Sequence, residues 1–442
     1  MHAVMRVFSE KIVAEMCRRD NISSPGSATI MDCAKLSSDL EAETGIPVIH
    51  MELGSPGFAP NRIGVEAEKA ALDAGVGSKY PPTDGLPVLK EASSRFVKAF
   101  LGLDLAPLYH IPTTGSMLGA FGALAAASQC VPGRRKVLVL EPSFSANKQQ
   151  MAILDLPWKG VEVADLRRDG FEEGLRRELT SGDYAAVMYS NPNNPSWMCL
   201  SDSELGMIAR VAGETHTIII EDLAYFCMDL RGRGFGVPYT EPYPPSVSRY
   251  TDHYILLLSA SKIFSYAGQR IGVMCVGPGL YHESFPALAE RYGGSGIFGL
   301  TLTGGILDMI TSGSTASTQW GLAAMMDSSC EGKLDFVADI AEYGARASRM
   351  KEIFLRHGFS ISYQTDAYGD IADGFFFTLS YPGMDSATLV EELLAYGVSA
   401  VSLDKMGSSR NGVRVCSSRI SGGQFELLEE RMAAFAADHA SD

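Results

Sequence analysis

The sequence predicts an α/β protein: a large domain on a mostly parallel β-sheet, plus a smaller α/β layer supplied by the C-terminal third. Three observations predict it. Four short apolar runs, Val137–Leu140, Ala185–Tyr189, Thr217–Ile220 and Tyr254–Leu258, each end in polar or turn residues, as buried parallel strands do. A helical pattern separates the second run from the third, and strand, helix, strand in that order implies a right-handed crossover and a parallel pair. Past about residue 330 helix and strand candidates alternate, as in a second layer with an antiparallel component.

Taken in order, Phe8 to Met16 has the pattern of a short amphipathic helix, and Met117 to Ala126 that of an apolar one. The helix between the second and third strands opens with Ser201-Asp-Ser-Glu204, a capping-box spacing, and places Leu205, Ile208, Ala209 and Ala212 at helical intervals. A long charged helix is expected from Leu334 to His357. Strands follow at Phe359–Tyr363 and Phe375–Ser380, then a helix from Ser386 to Tyr396, a strand at Val413–Cys416 and a closing helix from Gln424 to His439.

Composition narrows the function. The 442 residues carry 37 Lys and Arg against 52 Asp and Glu, a formal charge of −15, which disfavours a wide phosphate-binding face for nucleic acid. Eight cysteines (17, 33, 130, 199, 227, 275, 330 and 416) show no short paired spacing, so neither a zinc site nor a disulfide framework is indicated. The N-terminus is charged throughout, and no apolar run reaches the roughly 18 residues of a membrane span. A soluble, cytoplasmic protein with no metal site is expected. A nicotinamide dehydrogenase is excluded, because no Gly-x-Gly-x-x-Gly follows Val137–Leu140 or the other strands.

In open α/β sheets ligands collect beyond the carboxyl ends of the strands. There the run ending at Tyr189 continues as Ser190-Asn-Pro-Asn-Asn-Pro195. The run ending at Ile220 continues as Glu221-Asp-Leu-Ala-Tyr225, and the run ending at Leu258 as Ser259-Ala-Ser-Lys262. An amide, a carboxylate, a phenol and a lysine are thus expected at one edge. Each alone has a bland explanation: a rigid turn, a helix cap, a solvated lysine.

Together, in this order, they resemble the fold-type I pyridoxal-phosphate enzymes, and within them the class I/II aminotransferases, from about Met51 to Arg414. Ser-x-Ser-Lys followed eight residues later by an arginine (Ser259, Ser261, Lys262, Arg270) is the most specific part. The resemblance implies pyridoxal 5′-phosphate as cofactor and helices on both faces of the large sheet. It implies three segments: 1–60, joining the small domain and making dimer contacts; 61–325, the large cofactor-binding domain; and 326–442, the small C-terminal domain.

By the resemblance, Lys262 condenses with the cofactor aldehyde and later carries the α-proton, a task suited to an amine with a depressed pKa. Asp222 faces the pyridine nitrogen and keeps it protonated, so that the ring accepts electrons. Asn194 and Tyr225 hydrogen-bond the phenolic oxygen, and Phe144 stacks on the ring. Thr114, Gly115 and Ser116, at the start of an apolar helix, join Ser259 and Arg270 around the phosphate. Tyr80 reaches the phosphate from a partner chain, which implies a homodimer with shared sites. Arg414 grips the substrate α-carboxylate with a two-pronged hydrogen bond, with Arg419 as the poorer match, and Gly54 belongs to a loop that closes over substrate.

The sequence departs from the family pattern in four places. The usual Asn-Pro-Thr-Gly turn reads Asn194-Pro-Ser-Trp197, whose indole either shapes the pocket or covers it. A glycine-rich stretch, Gly293–Gly299, lengthens the chain and is expected to alter substrate entry. The segment Asp308–Ser312 lacks the second arginine of dicarboxylate-specific members, which disfavours a strict aspartate preference and favours neutral, apolar or aromatic side chains. The first 40 or so residues exceed the usual start, and the Phe8–Met16 helix either packs across a dimer interface or frays. The expectation is a ping-pong aminotransferase acting on amino-acid and keto-acid substrates. A lyase, decarboxylase or oxidase using the same residues is the alternative. A non-catalytic regulator is a distant third, because the 50 or so residues before Met51 show neither a helix-turn-helix nor a basic bias.

Overall fold

The structure, a computed structural model, describes residues 6–439; the first five and last three residues, at the outer ends of the expected first and third segments, lie outside the described residues. The chain divides into two compact units. The larger comprises Phe58–Asn193 and Cys199–Asp339, and the smaller Met1–Gly57, Asn194–Met198 and Ile340–Asp442. Among the described residues no helix is long and apolar enough to cross a membrane.

The larger unit is built on a seven-stranded sheet in the order His110–Thr113, Gly272–Val276, Tyr254–Ser259, Ile218–Leu223, Tyr184–Ser190, Lys136–Glu141 and Trp158–Glu162. Only Gly272–Val276 runs against its neighbours. The four apolar runs are thus parallel strands; three extend their run by one residue at one or both ends, while the third starts at Ile218 and continues past Ile220 through Glu221 and Asp222 to Leu223. Helix Asp202–Thr215 begins with the expected box: the Ser201 hydroxyl accepts from the Glu204 amide at 3.2 Å, and the Glu204 carboxylate accepts from the Ser201 amide at 2.8 Å. This satisfies two amides that the first helical turn leaves without partners. Helix Gly115–Ala127 buries Ala120, Ala123 and Leu124 in one cluster with Val139, Ile220, Leu257 and Met274 of the sheet.

Register decides what meets at the carboxyl edge. Ser190 lies beside Asp222 on the next strand, and Ser259 beside Gly272. The glycine-rich stretch is a turn with Gly293, Gly294 and Gly296 at φ of 76, 75 and 71°, conformations that suit glycine. It leads into a helical run whose Phe298, Leu302, Ile306 and Leu307 join the core against helix Gly115–Ala127. Close approach there needs a small residue: a Cβ at Gly122 would stand 2.6 Å from a Leu307 methyl.

The smaller unit holds a four-stranded antiparallel sheet in the order Val401–Ser402, Val413–Cys416, Phe376–Ser380 and Ser360–Ile361, with a separate parallel pair, Ile49–His50 and Val398–Ser399. Helices Glu342–Arg356, Ser386–Ala395 and Gln424–His439 cover its core of Met350, Phe354, Phe377, Leu379, Leu393, Leu428 and Phe435.

Three expectations need correction. The helix foreseen over 334–357 is two helices, Phe336–Ile340 and Glu342–Arg356, and the units divide just before that break, between Asp339 and Ile340. The boundary expected at 325/326 cuts through helix Ala316–Cys330, which packs on helices Arg62–Asp73 and Pro87–Leu101 and so keeps the chain in the larger unit to Asp339. The N-terminal helix runs over Glu10–Asp20 instead of Phe8–Met16, and Phe8, Met16 and Cys17 are buried with Leu36, Leu40 and Leu394 of its own unit.

Candidate active site

In the larger unit the turn after Ser259 presents the lysine. The Ser259 hydroxyl, buried at the strand end, accepts from the Ser261 amide at 3.2 Å, which starts the single helical turn Ala260–Ile263 that carries the half-buried Lys262. One strand away, Asp222 is half-buried, and its Oδ1 accepts from the Ala224 amide at 3.0 Å. Desolvation pushes its pKa up to about 6; that amide works in the opposite sense, and no cation contributes. Tyr225, two residues past the strand, is buried. Asn193 donates to the Pro142 carbonyl at 2.9 Å, tying the Asn-rich turn to the segment before Phe144, which is half-buried at the start of helix Ser145–Ile153.

The expected phosphate residues converge within this unit. Gly115 has φ +72°, and a Cβ on it would lie 2.6 Å from Arg270 Nη2. A Cβ on Gly272 would lie 2.6 Å from the Leu258 carbonyl oxygen and 3.2 Å from the Ser116 amide nitrogen. Two glycines therefore let three chain segments and a guanidinium crowd around the first turn of helix Gly115–Ala127. Thr114, at its cap, makes no side-chain capping bond to the helix-start amides. Arg270 is exposed, and its Nη1 donates to the Ala267 carbonyl at 2.7 Å. Tyr80 stands apart, 88% exposed.

In the smaller unit Arg414 is 1% exposed. Its Nη1 donates to Asn194 Oδ1 at 3.2 Å, its Nη2 donates to the Glu52 carbonyl, and its Cζ lies 4.4 Å from the centre of the Phe376 ring. Arg419, the weaker candidate, is exposed. Gly54 owes its lack of a side chain to Phe376 in the first place: a Cβ would lie 2.7 Å from that ring. Trp197 is fully buried.

Two residues escaped the reading of the sequence. Phe376, on a strand foreseen from its apolar pattern, lies diagonally across the antiparallel pair from Arg414. Glu221, next to Asp222 and itself fully buried, accepts from the Ser246 hydroxyl at 2.7 Å and the Val247 amide at 3.0 Å; burial pushes its pKa up to about 7. A carboxylate at the end of an apolar run was the available signal.

A mostly parallel sheet with Lys262 and Asp222 on adjacent strand ends at its carboxyl edge is the arrangement expected of the fold-type I pyridoxal-phosphate enzymes. The sequence profile of the aminotransferase class I and II family matches residues 48–361, and the chain belongs to that family. Its cofactor is pyridoxal 5′-phosphate, as in other members. The aspartate/prephenate aminotransferase of Thermus thermophilus is 29% identical over 263 residues, 59% of this chain and 63% of that one. The aspartate aminotransferase of Pyrococcus horikoshii is 27% identical over 227 residues, covering 51% and 54%. The asparagine–oxo-acid transaminase of Streptococcus mutans is 25% identical over 252 residues, covering 56% and 60%. The chain thus spans less than two thirds of each of these relatives. Among solved structures, the Thermus thermophilus aspartate aminotransferase with maleate matches 93% of this chain and 96% of its own at a TM-score of 0.73 and 22% identity. That of Thermotoga maritima matches 98% and 100% at a TM-score of 0.73 and 19% identity. These likenesses speak to the fold.

Proposed function

We propose that the protein is a cytoplasmic, homodimeric aminotransferase that moves an amino group from an α-amino acid with a neutral, apolar or aromatic side chain to an α-keto acid, in ping-pong order. The observation that carries this reading is Asp222: a carboxyl held in a desolvated place with no cation contributing to its shift, one strand from the turn bearing Lys262. Such a group fits a protonated ring nitrogen, which would restore its charged form. The cofactor supplies an electron sink for bonds broken at the substrate α-carbon.

The chain's residues do the rest. Thr114, Gly115 and Ser116 offer helix-start amides to the phosphate, joined by the Ser259 hydroxyl and the Arg270 guanidinium. Phe144 stacks on the ring, and Asn194 and Tyr225 donate to the phenolic oxygen. Lys262 Nζ takes the proton from the α-carbon and returns it, which requires the neutral amine. Arg414 receives the α-carboxylate, Gly54 lies in the loop over the substrate, and Tyr80 of a second copy reaches the phosphate; its exposure on one chain suits that role. The substrate class is supported by Asp308–Ser312, which brings a carboxylate and no arginine. Relatives named for aspartate, prephenate and asparagine show that substrate choice varies within the family.

The test is to add single amino acids to the cofactor-loaded protein without a keto acid. Conversion of the cofactor to its amine form, with one keto acid released per site, is expected. Release of ammonia, carbon dioxide or a side-chain fragment instead would assign the protein to the oxidases, decarboxylases or lyases.

A further inference from the structure

We infer that Trp197 is a positioning residue for Arg414: acting through Phe376, its indole sets the plane in which the guanidinium meets a substrate carboxylate. The inference rests on the reading of Arg414 as the carboxylate site.

The backbone gives the first argument. Trp197 has φ +64°, a region that L-residues with bulky side chains rarely occupy and that glycine enters freely. The family's usual turn has glycine here. This chain therefore keeps the glycine conformation and adds the largest side chain, and an outlier of this kind points to a use for the ring.

Packing shows what the ring touches. The indole is 0% exposed and meets the Phe376 ring edge to face, with centroids 6.1 Å apart and planes at 78°. Room for it comes from Gly374, where a Cβ would lie 2.4 Å from the indole Nε1. Phe376 is thus boxed by the indole and by the bare backbone of Gly54, and its face lies 4.4 Å from Arg414 Cζ. Asn194 Oδ1 and the Glu52 carbonyl hold two edges of the guanidinium, and the Phe376 ring holds its face. Two edges and a face define a plane. Two-pronged recognition of a carboxylate depends on that plane, because the donors of arginine form a rigid fork. Without the indole, Phe376 can tilt, and the plane turns with it.

The experiment uses the cofactor-loaded enzyme and three variants: Trp197→Gly, which suits the backbone but removes the ring; Trp197→Phe, which keeps a ring; and Gly374→Ala, which pushes on the indole. Amino-acid kcat and KM are measured with the inhibition constants of 3-phenylpropionate, a carboxylate without an amine, and 2-phenylethylamine, an amine without a carboxylate. Trp197→Gly should raise KM and the 3-phenylpropionate constant about tenfold or more, with kcat within about threefold. The phenylethylamine constant should stay unchanged, Trp197→Phe should recover most of the loss, and Gly374→Ala should fall between. Unchanged carboxylate affinity, equal weakening of the amine, or no recovery by Phe overturns the inference. Should Trp197→Gly not fold, Trp197→Phe and Gly374→Ala decide: the inference fails if Gly374→Ala leaves carboxylate affinity at the parental value. Arg414→Ala separates the two levels. If it too leaves 3-phenylpropionate binding intact, the reading of Arg414 is wrong; if it abolishes binding while Trp197→Gly keeps it, only the role of Trp197 is.

Discussion

The two units hold their charged site residues differently. In the larger, Lys262, Asp222, Phe144, Thr114 and Ser116 are half-buried at strand ends or helix starts, Arg270 is exposed, and Tyr225 and Ser259 are buried. In the smaller, Arg414, Asn194, Trp197 and Phe376 are buried, and the guanidinium is bonded to its own unit. The difference teaches a division of labour. Lys262 and Asp222, proposed to hold or move protons, and Arg270, proposed to meet the phosphate, stay within reach, and Asp222 carries a desolvation cost that a cationic ligand relieves. The group proposed to recognise a shape is oriented beforehand, which lowers the ordering cost when substrate arrives.

Breaking the larger unit's half should give the largest effect. Lys262→Ala should lower turnover by at least about 10⁴-fold and remove the borohydride-reducible visible absorbance of the loaded protein; a surviving reducible band refutes the lysine's role. Asp222→Asn comes next. It should retain the cofactor but slow exchange of the substrate α-proton with solvent about 10³-fold, measured by deuterium wash-in, and near-normal exchange counts against a ring-nitrogen partner.

Breaking the smaller unit's half should act on binding. Arg414→Ala should weaken α-carboxylate substrates about 10²-fold, roughly 3 kcal/mol, whereas Arg419→Ala, at an exposed position, should change the dissociation constant by less than about twofold. The reverse pattern would exchange the two assignments.

The last prediction sharpens the comparison through pH. Glu221 titrates at about 7 when folded, against an ordinary value of 4.5, so between those pH values the folded protein holds the extra proton. Its burial cost is absent below about 4.5, grows as pH rises and is complete above 7. At 1.36 kcal/mol per unit the loss is at most about 3 kcal/mol. Asp222 adds a loss of the same sign between 3.8 and about 6, reduced by its partial exposure. Urea unfolding of the cofactor-free protein near pH 5 and near pH 8 should show Glu221→Gln losing less stability than the parent over that interval. An equal loss in both proteins would rule out Glu221 as the source.

Much of this was legible from the chain. Helix Asp202–Thr215 is announced by its cap, because Ser201 and Glu204 bond within one turn. Strand Val413–Cys416 and helix Gln424–His439 fall where their patterns put them. Lys262 and Asp222 could be placed at strand ends because an apolar run that turns polar is itself the end of a buried strand. The break near Ala341 was not legible, because the charged pattern continues across it and the division follows what each half packs against.

By itself, then, the sequence determined four neighbouring parallel strands of the large sheet, the capped helix and the order in which amide, carboxylate, phenol and lysine follow them, since each depends on neighbours a few residues apart; the other three strands, His110–Thr113, Trp158–Glu162 and Gly272–Val276, carried no comparable local signal. Only the tertiary structure decided that Arg414 rather than Arg419 is buried, that Phe376 lies on its face, that Gly54 and Gly374 make room for the rings, and that Trp197 is core rather than cover. Residues 54, 197, 376 and 414 are far apart in the chain, and no local periodicity encodes which of them share a packed interior.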